Sequence, residues 1–344
     1  MRRQKQLLSF FVFFVFSLLS DATAASSVDA CDPRSLPDRL TLRPDQLTVL
    51  ISGYSERRLL LLHSLAAGYA SLPSVAAVLI LWGNPSTPSH VLSPLSSSSS
   101  KVTVVRDPSP SLNARFLPRA AIRTRAVAVC DDDVEVDPRS LAWAFAVWRS
   151  HEHSLVGFFA RSHDLDLARR TWIYTIHPDR HSIVLTKFMI LKTDYLHRYS
   201  CWTRLAEARG LVDRQRNCED ILMNFVVAMA MAAEGREGPV TVLVEGRRVR
   251  DWGDPRNSGN SNSSSSTDGG DGDGVKEQER ETEITRVGLS SRGDHRKRRG
   301  DCIREFHRML RVMPLRYSYG KVVEGLGEQG LCLKGGKLVF CDRD

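Results

Sequence analysis

Three consecutive aspartates, Asp131, Asp132 and Asp133, directly follow an apolar run at 125–130. Adjacent carboxylates repel, and crowding them is costly unless a cation offsets the charge. A hard divalent ion held by one or two carboxylates and phosphate oxygens does so. Such an ion can neutralise a diphosphate leaving group as a Lewis acid. The alternative is a solvated acidic turn without metal. The position favours the metal, because ligands of open α/β sheets bind at the carboxyl ends of strands.

Other segments carry weaker signals. Tyr54-Ser55-Glu56-Arg57, Gly83-Asn84 and Asn113-Ala114-Arg115-Phe116 could together line a nucleotide pocket. Each alone reads as loop and cap chemistry. Asn217-Cys218-Glu219-Asp220 opens an apolar helix, where carboxylates also serve as simple caps favoured by the helix dipole. His163, His177 and His181 read as surface or core side chains rather than catalysts.

The elements that must position these residues alternate. Short β-branched runs at 47–51, 75–81, 102–105 and 125–130 read as buried strands. Residues 56–70 read as a helix, and the Ser/Pro stretch 86–100 as a loop. Asp137-Pro138 caps a helix over 139–151. The alternation predicts an α/β class with a doubly wound sheet. Beyond it, 155–159, 172–176, 182–191 and 239–244 read as strands and 217–233 as a helix. Residues 257–273 are nearly all Ser, Asn, Gly and Asp, a composition that predicts disorder. They contain the sequon at Asn262, a glycosylation candidate on a loop.

Composition excludes several classes. The chain has 344 residues, 42% hydrophobic and 26% charged, so wholesale disorder and a collagen-like fibre are out. Seven cysteines are too sparse for a disulfide scaffold. A single apolar run, 7–20, approaches membrane length, which excludes a multi-pass protein. It follows Arg2, Arg3 and Lys5 and precedes Asp21-Ala22-Thr23-Ala24. Residues 1–25 therefore read as a signal peptide or a signal-anchor, with membrane association through the N-terminus in the second case. Either places the rest in the secretory pathway, where disulfides persist. The net charge is +8, and the basic run 292–299 could suggest nucleic acid. The secretory N-terminus argues against that, leaving a solvated basic face. Cys332–Cys341 and Cys31–Cys201 are candidate bridges, and Cys130 reads as a free core thiol.

Taken in order, the run 111–117, the strand into Asp131-Asp132-Asp133, Phe145-Ala146-Val147-Trp148, Leu155-Val156-Gly157, 182–185 and Asn217-Cys218-Glu219-Asp220-Ile221 through Phe225 resemble glycosyltransferase family 64, the exostosin-like family. The resemblance covers roughly 47–319 apart from the Ser/Gly insert, and the ending from Gly327 to Asp342 resembles plant members. It implies a GT-A fold, with a nucleotide-sugar-binding half at 45–135. An acceptor-binding and catalytic half follows at 136–325, interrupted by an insert at 255–282, then a tail at 326–344. It implies retaining transfer of a sugar, usually an N-acetylhexosamine from a UDP-sugar, with Mn²⁺, in the Golgi lumen. GDP-mannose is the other donor. The acceptor would be a glycan or a glycosyl inositol phosphorylceramide.

By motif, the resemblance assigns the metal to Asp133. It assigns nucleotide and ribose to Asp131 and Asp132, and uridine and phosphates to Asn84, Asn113 and Arg115. Asp220 becomes the catalytic carboxylate, with Arg292 near the diphosphate. Cys218 and Cys302 form a disulfide pair. Two departures stand out. Glu219 occupies a position that is often aspartate, and Glu56-Arg57 follows the first strand where animal members place an arginine. A nucleotide-sugar-binding or scaffold protein without turnover is the competing class.

Overall fold

A computed structural model describes residues 30–97, 99–107, 109, 111–253, 295–324 and 331–340. Its core is an α/β sheet built from β1 (Arg43–Gly53), β2 (Val75–Trp82), β3 (Val102–Arg106) and β4 (Thr124–Asp131). β5 (Val134–Val136), β6 (Leu155–Gly157), β7 (Ala160–Asp166), β8 (Thr171–Thr175), β9 (Arg180–His181), β10 (Ile183–Val184) and β11 (Phe188–Lys192) follow. The later strands are β12 (Thr241–Glu245), β13 (Val249–Asp251), β14 (Ser318–Tyr319) and β15 (Val322–Val323). The main sheet has eight strands in the order β15-β12-β6-β11-β4-β1-β2-β3. β1, β2, β3 and β4 pair in parallel, whereas β11 runs antiparallel to both β4 and β6. The expected doubly wound sheet of GT-A type is the one observed.

Side chains alternate between two cores, one on each face of the sheet. In β4, Val127 and Val129 face one core with Ile221, Phe225 and Phe306. Ala126, Ala128 and Cys130 face the other, with Leu62, Leu141 and Trp148. Helices Leu59–Ala70 and Pro138–Ser150 cover that second face, the latter capped by Asp137 as expected. Helix Glu219–Ala233 lies in the first core.

Several boundaries differ from the sequence reading. The presumed loop 86–100 contains the helix Ser89–Ser97, with Pro94 inside it. Proline removes an amide donor, and the Ser93 hydroxyl donates instead to the His90 carbonyl, at 2.8 Å. Leu92 and Leu95 bury the inner face. The single strand expected over 182–191 is two strands, β10 and β11, separated at 185–187. Asn224 holds the first of them: its side chain donates to the Val184 carbonyl at 2.9 Å and accepts from the Val184 amide at 3.0 Å. Helices Thr193–Cys201, Ala206–Gln215 and His295–Leu310 were not anticipated. In the last of these, Arg296 and Lys297 are exposed as the solvated reading of the basic run expects, but Arg299 is buried.

Disulfides join Cys218 to Cys302 and Cys31 to Cys201. Cys332 is also disulfide-bonded, while Cys341 lies outside the described residues, and Cys130 is a buried free thiol. Among the described residues no helix is long and apolar enough to cross a membrane. The N-terminal segment 1–25, Asn262 and the insert 255–282 lie outside them.

Gly157 sets the spacing between β6 and β11. A Cβ there would stand 2.4 Å from the Phe188 carbonyl oxygen and 2.5 Å from Val184 Cγ1. Gly157→Ala is expected to destabilise the protein by about 1–3 kcal/mol through overpacking, measured as a lowered urea midpoint.

Candidate active site

The register of the parallel strands places Asp131 beside Ser52 at the carboxyl edge of the sheet. Asp132 and Asp133 form the turn from β4 into β5. The chain leaving β1 makes a short turn, Glu56–Arg58, that swings Arg58 back over this edge. Arg58 Nη1 lies 2.5 Å from Asp132 and 3.1 Å from Asp133. Glu56 accepts a hydrogen bond from Thr87 at 2.6 Å, and Arg57 is exposed. The cation that meets the triplet after the first strand is therefore Arg58, which the sequence reading did not single out.

A second acidic centre starts the helix Glu219–Ala233. Arg299 Nη2 lies 2.6 Å from Asp220, and its Nη1 donates to Asn217 at 3.0 Å. The guanidinium also sits 4.5 Å from the centre of the Tyr174 ring. Burial opposes the Arg299 charge, but Asp220 more than restores it. Arg115 joins the two centres, with Nη1 at 3.1 Å from Asp131 and 3.2 Å from Glu219. Glu219 also accepts from Thr186 at 3.1 Å. Burial raises its pKa, against the nearby Arg115.

The third wall is β13. Lys187 pairs with Asp251, and the Trp252 amide donates to the Asp133 carbonyl at 2.8 Å. A Cβ on Gly253 would fall 2.6 Å from Asp133 Oδ2, so glycine is what admits that carboxylate. Burial and the neighbouring Asp131, Asp132 and Asp251 push Asp133 up to about 7, despite Arg58. The carboxylates of Asp131, Asp132, Asp133, Glu219, Asp220 and Asp251 are paired with Arg58, Arg115, Lys187 and Arg299. Six negative charges against four positive leave a formal −2 among these ten groups. The donors are oxygens, the type a hard divalent cation takes, although among the described residues no group of three or more carboxylate, histidine or cysteine side chains is arranged as a metal site.

The expected site residues are thus partly assembled. Asp131, Asp132, Asp133, Arg115 and Asp220 converge. Asn84 lies just past β2 at the same sheet edge and accepts from the Ser86 amide at 3.0 Å. Asn113 turns toward the helices, donating to Asp213 at 2.9 Å and accepting from Tyr199 at 2.5 Å. Arg292 lies outside the described residues. Arg58, Lys187, Glu219 and Arg299 are the unassigned contributors. The sequence signals for Arg299 are its place at the end of the basic run 292–299 and three residues before Cys302.

Of the histidines named above, His181 is buried, and His163 and His177 are engaged elsewhere. His177 pairs with Asp164 at 2.5 Å. His163 is buried, bonded to Ser182 at 2.8 Å and stacked on Tyr317. Burial lowers its pKa to about 4. The unfolded chain protonates His163 near its ordinary value of about 6.5, so stability contributed by this site is lost as pH falls below that value. From pH 8 to pH 5 the loss is expected to be about 2 kcal/mol. His163→Gln should remove that part of the pH dependence from urea midpoints.

Comparison with known proteins gives the family. Residues 47–326 match the glycosyl transferase family 64 domain. The chain is 51% identical to Glycosyltransferase family protein 64 C3 of Arabidopsis thaliana, over 97% of each chain. It is 34% identical to Exostosin-1c of Danio rerio over 42% of its own length, spanning 20% of that relative. A solved structure of GalNAc-T7 with UDP, GalNAc and Mn2+ aligns with 48% of this chain and 37% of its own, at 10% identity and a TM-score of 0.38. With the domain match covering most of its length and a full-length relative at that identity, the chain belongs to glycosyltransferase family 64.

Proposed function

We propose that this chain transfers an N-acetylhexosamine from a UDP-sugar to a glycan or glycosphingolipid acceptor, with retention at the anomeric carbon. The observation that carries the reading is Arg115, which ties the aspartate triplet to the Glu219-Asp220 pair. A donor at the triplet would thereby present its sugar toward Asp220. Residues 45–135 form the donor half, and 136–325 form the acceptor and catalytic half. Asp131, Asp132, Asn84 and Arg115 serve the nucleotide and Arg292 the diphosphate, whereas Asn113 is held by Asp213 and Tyr199 and supports the pocket from behind.

Asp133 would hold Mn²⁺, which when bound supplies Lewis-acid stabilisation of the departing diphosphate. Asp220 stands where positive charge develops on the sugar ring. Its two oxygens are already engaged, one by Arg299 and one by the Ile221 amide at 2.8 Å. That favours an electrostatic role in same-face substitution over attack to form a covalent glycosyl-enzyme. The disulfides support a secretory, Golgi-luminal location. The net charge of +8 suits an anionic acceptor such as a glycosyl inositol phosphorylceramide.

The test is release of UDP or GDP from UDP-GlcNAc, UDP-GalNAc and GDP-mannose, with Mn²⁺ or a chelator, in the presence of such acceptors. Release of UDP that needs metal and acceptor supports the reading. Release of GDP from GDP-mannose would replace the donor. Metal-dependent nucleotide binding without release from any donor would favour a binding protein.

A further inference from the structure

The four cations of the site are not equivalent. Arg58, Arg115 and Arg299 are locked: their side chains are only 10%, 10% and 6% exposed, and each bridges two or more groups. Lys187 is different. Its side chain is 22% exposed. It sits on the break between β10 and β11, where its carbonyl accepts the Asp131 amide at 3.4 Å. The preceding Thr186 holds Glu219. Lys187 therefore stands between the triplet and the Asp220 centre, with its ammonium on Asp251 beside Asp133.

Resting on the donor-binding reading above, we propose that Lys187 binds the diphosphate of the nucleotide, and that Asp251 holds its ammonium in place until the donor arrives. An ammonium is a compact charge on a flexible stem, able to change partners where a forked guanidinium is fixed by its geometry. The exchange is also favoured electrostatically. A divalent ion at Asp133 would offset the carboxylate charge that includes Asp251, which loosens the hold on Lys187. The diphosphate brings new negative charge to the same edge. The break in the strand is what puts a lysine here, because a continuous strand over 182–191 would not carry residue 187 out to the turn.

The test is a set of dissociation constants for UDP, UMP and uridine with Mn²⁺ present, by calorimetry. The proteins are the wild type, Lys187→Met and Lys187→Arg, each checked for an unchanged melting temperature without ligand. Loss of one charged contact corresponds to about ten- to hundredfold. Lys187→Met should weaken UDP by that factor and change UMP and uridine by no more than about twofold. Lys187→Arg should recover part of the loss.

Equal weakening of UDP and uridine by Lys187→Met would overturn the proposal, since it would mark general damage to the pocket. If UDP binds the wild type with Mn²⁺ and Lys187→Met does not alter it, this inference fails and the donor reading stands. If no nucleoside diphosphate binds the wild type with Mn²⁺, both fall.

Discussion

Asp133→Asn is expected to abolish metal-dependent nucleotide binding while leaving the metal-free protein as stable as the wild type, or more so. The sign follows from its surroundings. Burial and three neighbouring carboxylates raise Asp133 to about 7, so its charge is held at neutral pH against repulsion. The amide removes that repulsion along with the ligand. A ligand at about 100 times its dissociation constant adds roughly 2.7 kcal/mol. For a protein of this size that is a thermal shift of about 5–10 °C. The shift should appear with Mn²⁺ and UDP in the wild type and vanish in the variant. A full shift in Asp133→Asn would move the metal away from the triplet. A large fall in melting temperature without ligand would instead mark Asp133 as a structural residue.

The second expectation concerns Arg299. Removing one partner of a buried ion pair leaves the other uncompensated, which is destabilising by about 3–5 kcal/mol. Arg299 and Asp220 are such a pair. Arg299→Met should therefore lower the melting temperature by about 6–20 °C. Asp220→Asn should fold and bind nucleotide, yet lose transfer by about a thousandfold, as expected for a group that stabilises transition-state charge. The double variant should recover most of the stability and none of the transfer. If Arg299→Met melts like the wild type, the pair does not form in solution. If Asp220→Asn keeps transfer, the catalytic carboxylate lies elsewhere.

What was legible in the residues has a physical pattern. β1, β2 and β4 announce themselves because their central residues are buried on both faces, so their apolar runs are continuous. The triplet is legible for the same reason, since acid directly after such a run falls at the strand's carboxyl end. The helix His295–Leu310 is obscured by its own beginning. Its first turn is basic, and one inward position is Arg299, whose burial makes sense only beside Asp220 some 79 residues earlier. Arg58 is hidden by a single short turn, Glu56–Arg58, which exposes Arg57 and returns the next residue to the site. Lys187 is hidden by a strand break, because 182–191 has the composition of one strand. In each case the element type was local information, and the partner that fixed the side chain was not.

The antiparallel strand β11 has a practical consequence for engineering. It hydrogen-bonds to β4 on one side and β6 on the other, so the strand carrying the triplet and those of the later half are woven into one sheet. A chimera that exchanges the second half between relatives, cut in the 151–154 loop, would pair a foreign β11 with the native β4. Residues Val127 to Cys130 and Phe188 to Leu191 then form the graft seam, and they must be taken together from one parent. A junction after Lys192 keeps that seam native, at the expense of leaving the hairpin of β7 and β8 with the original parent.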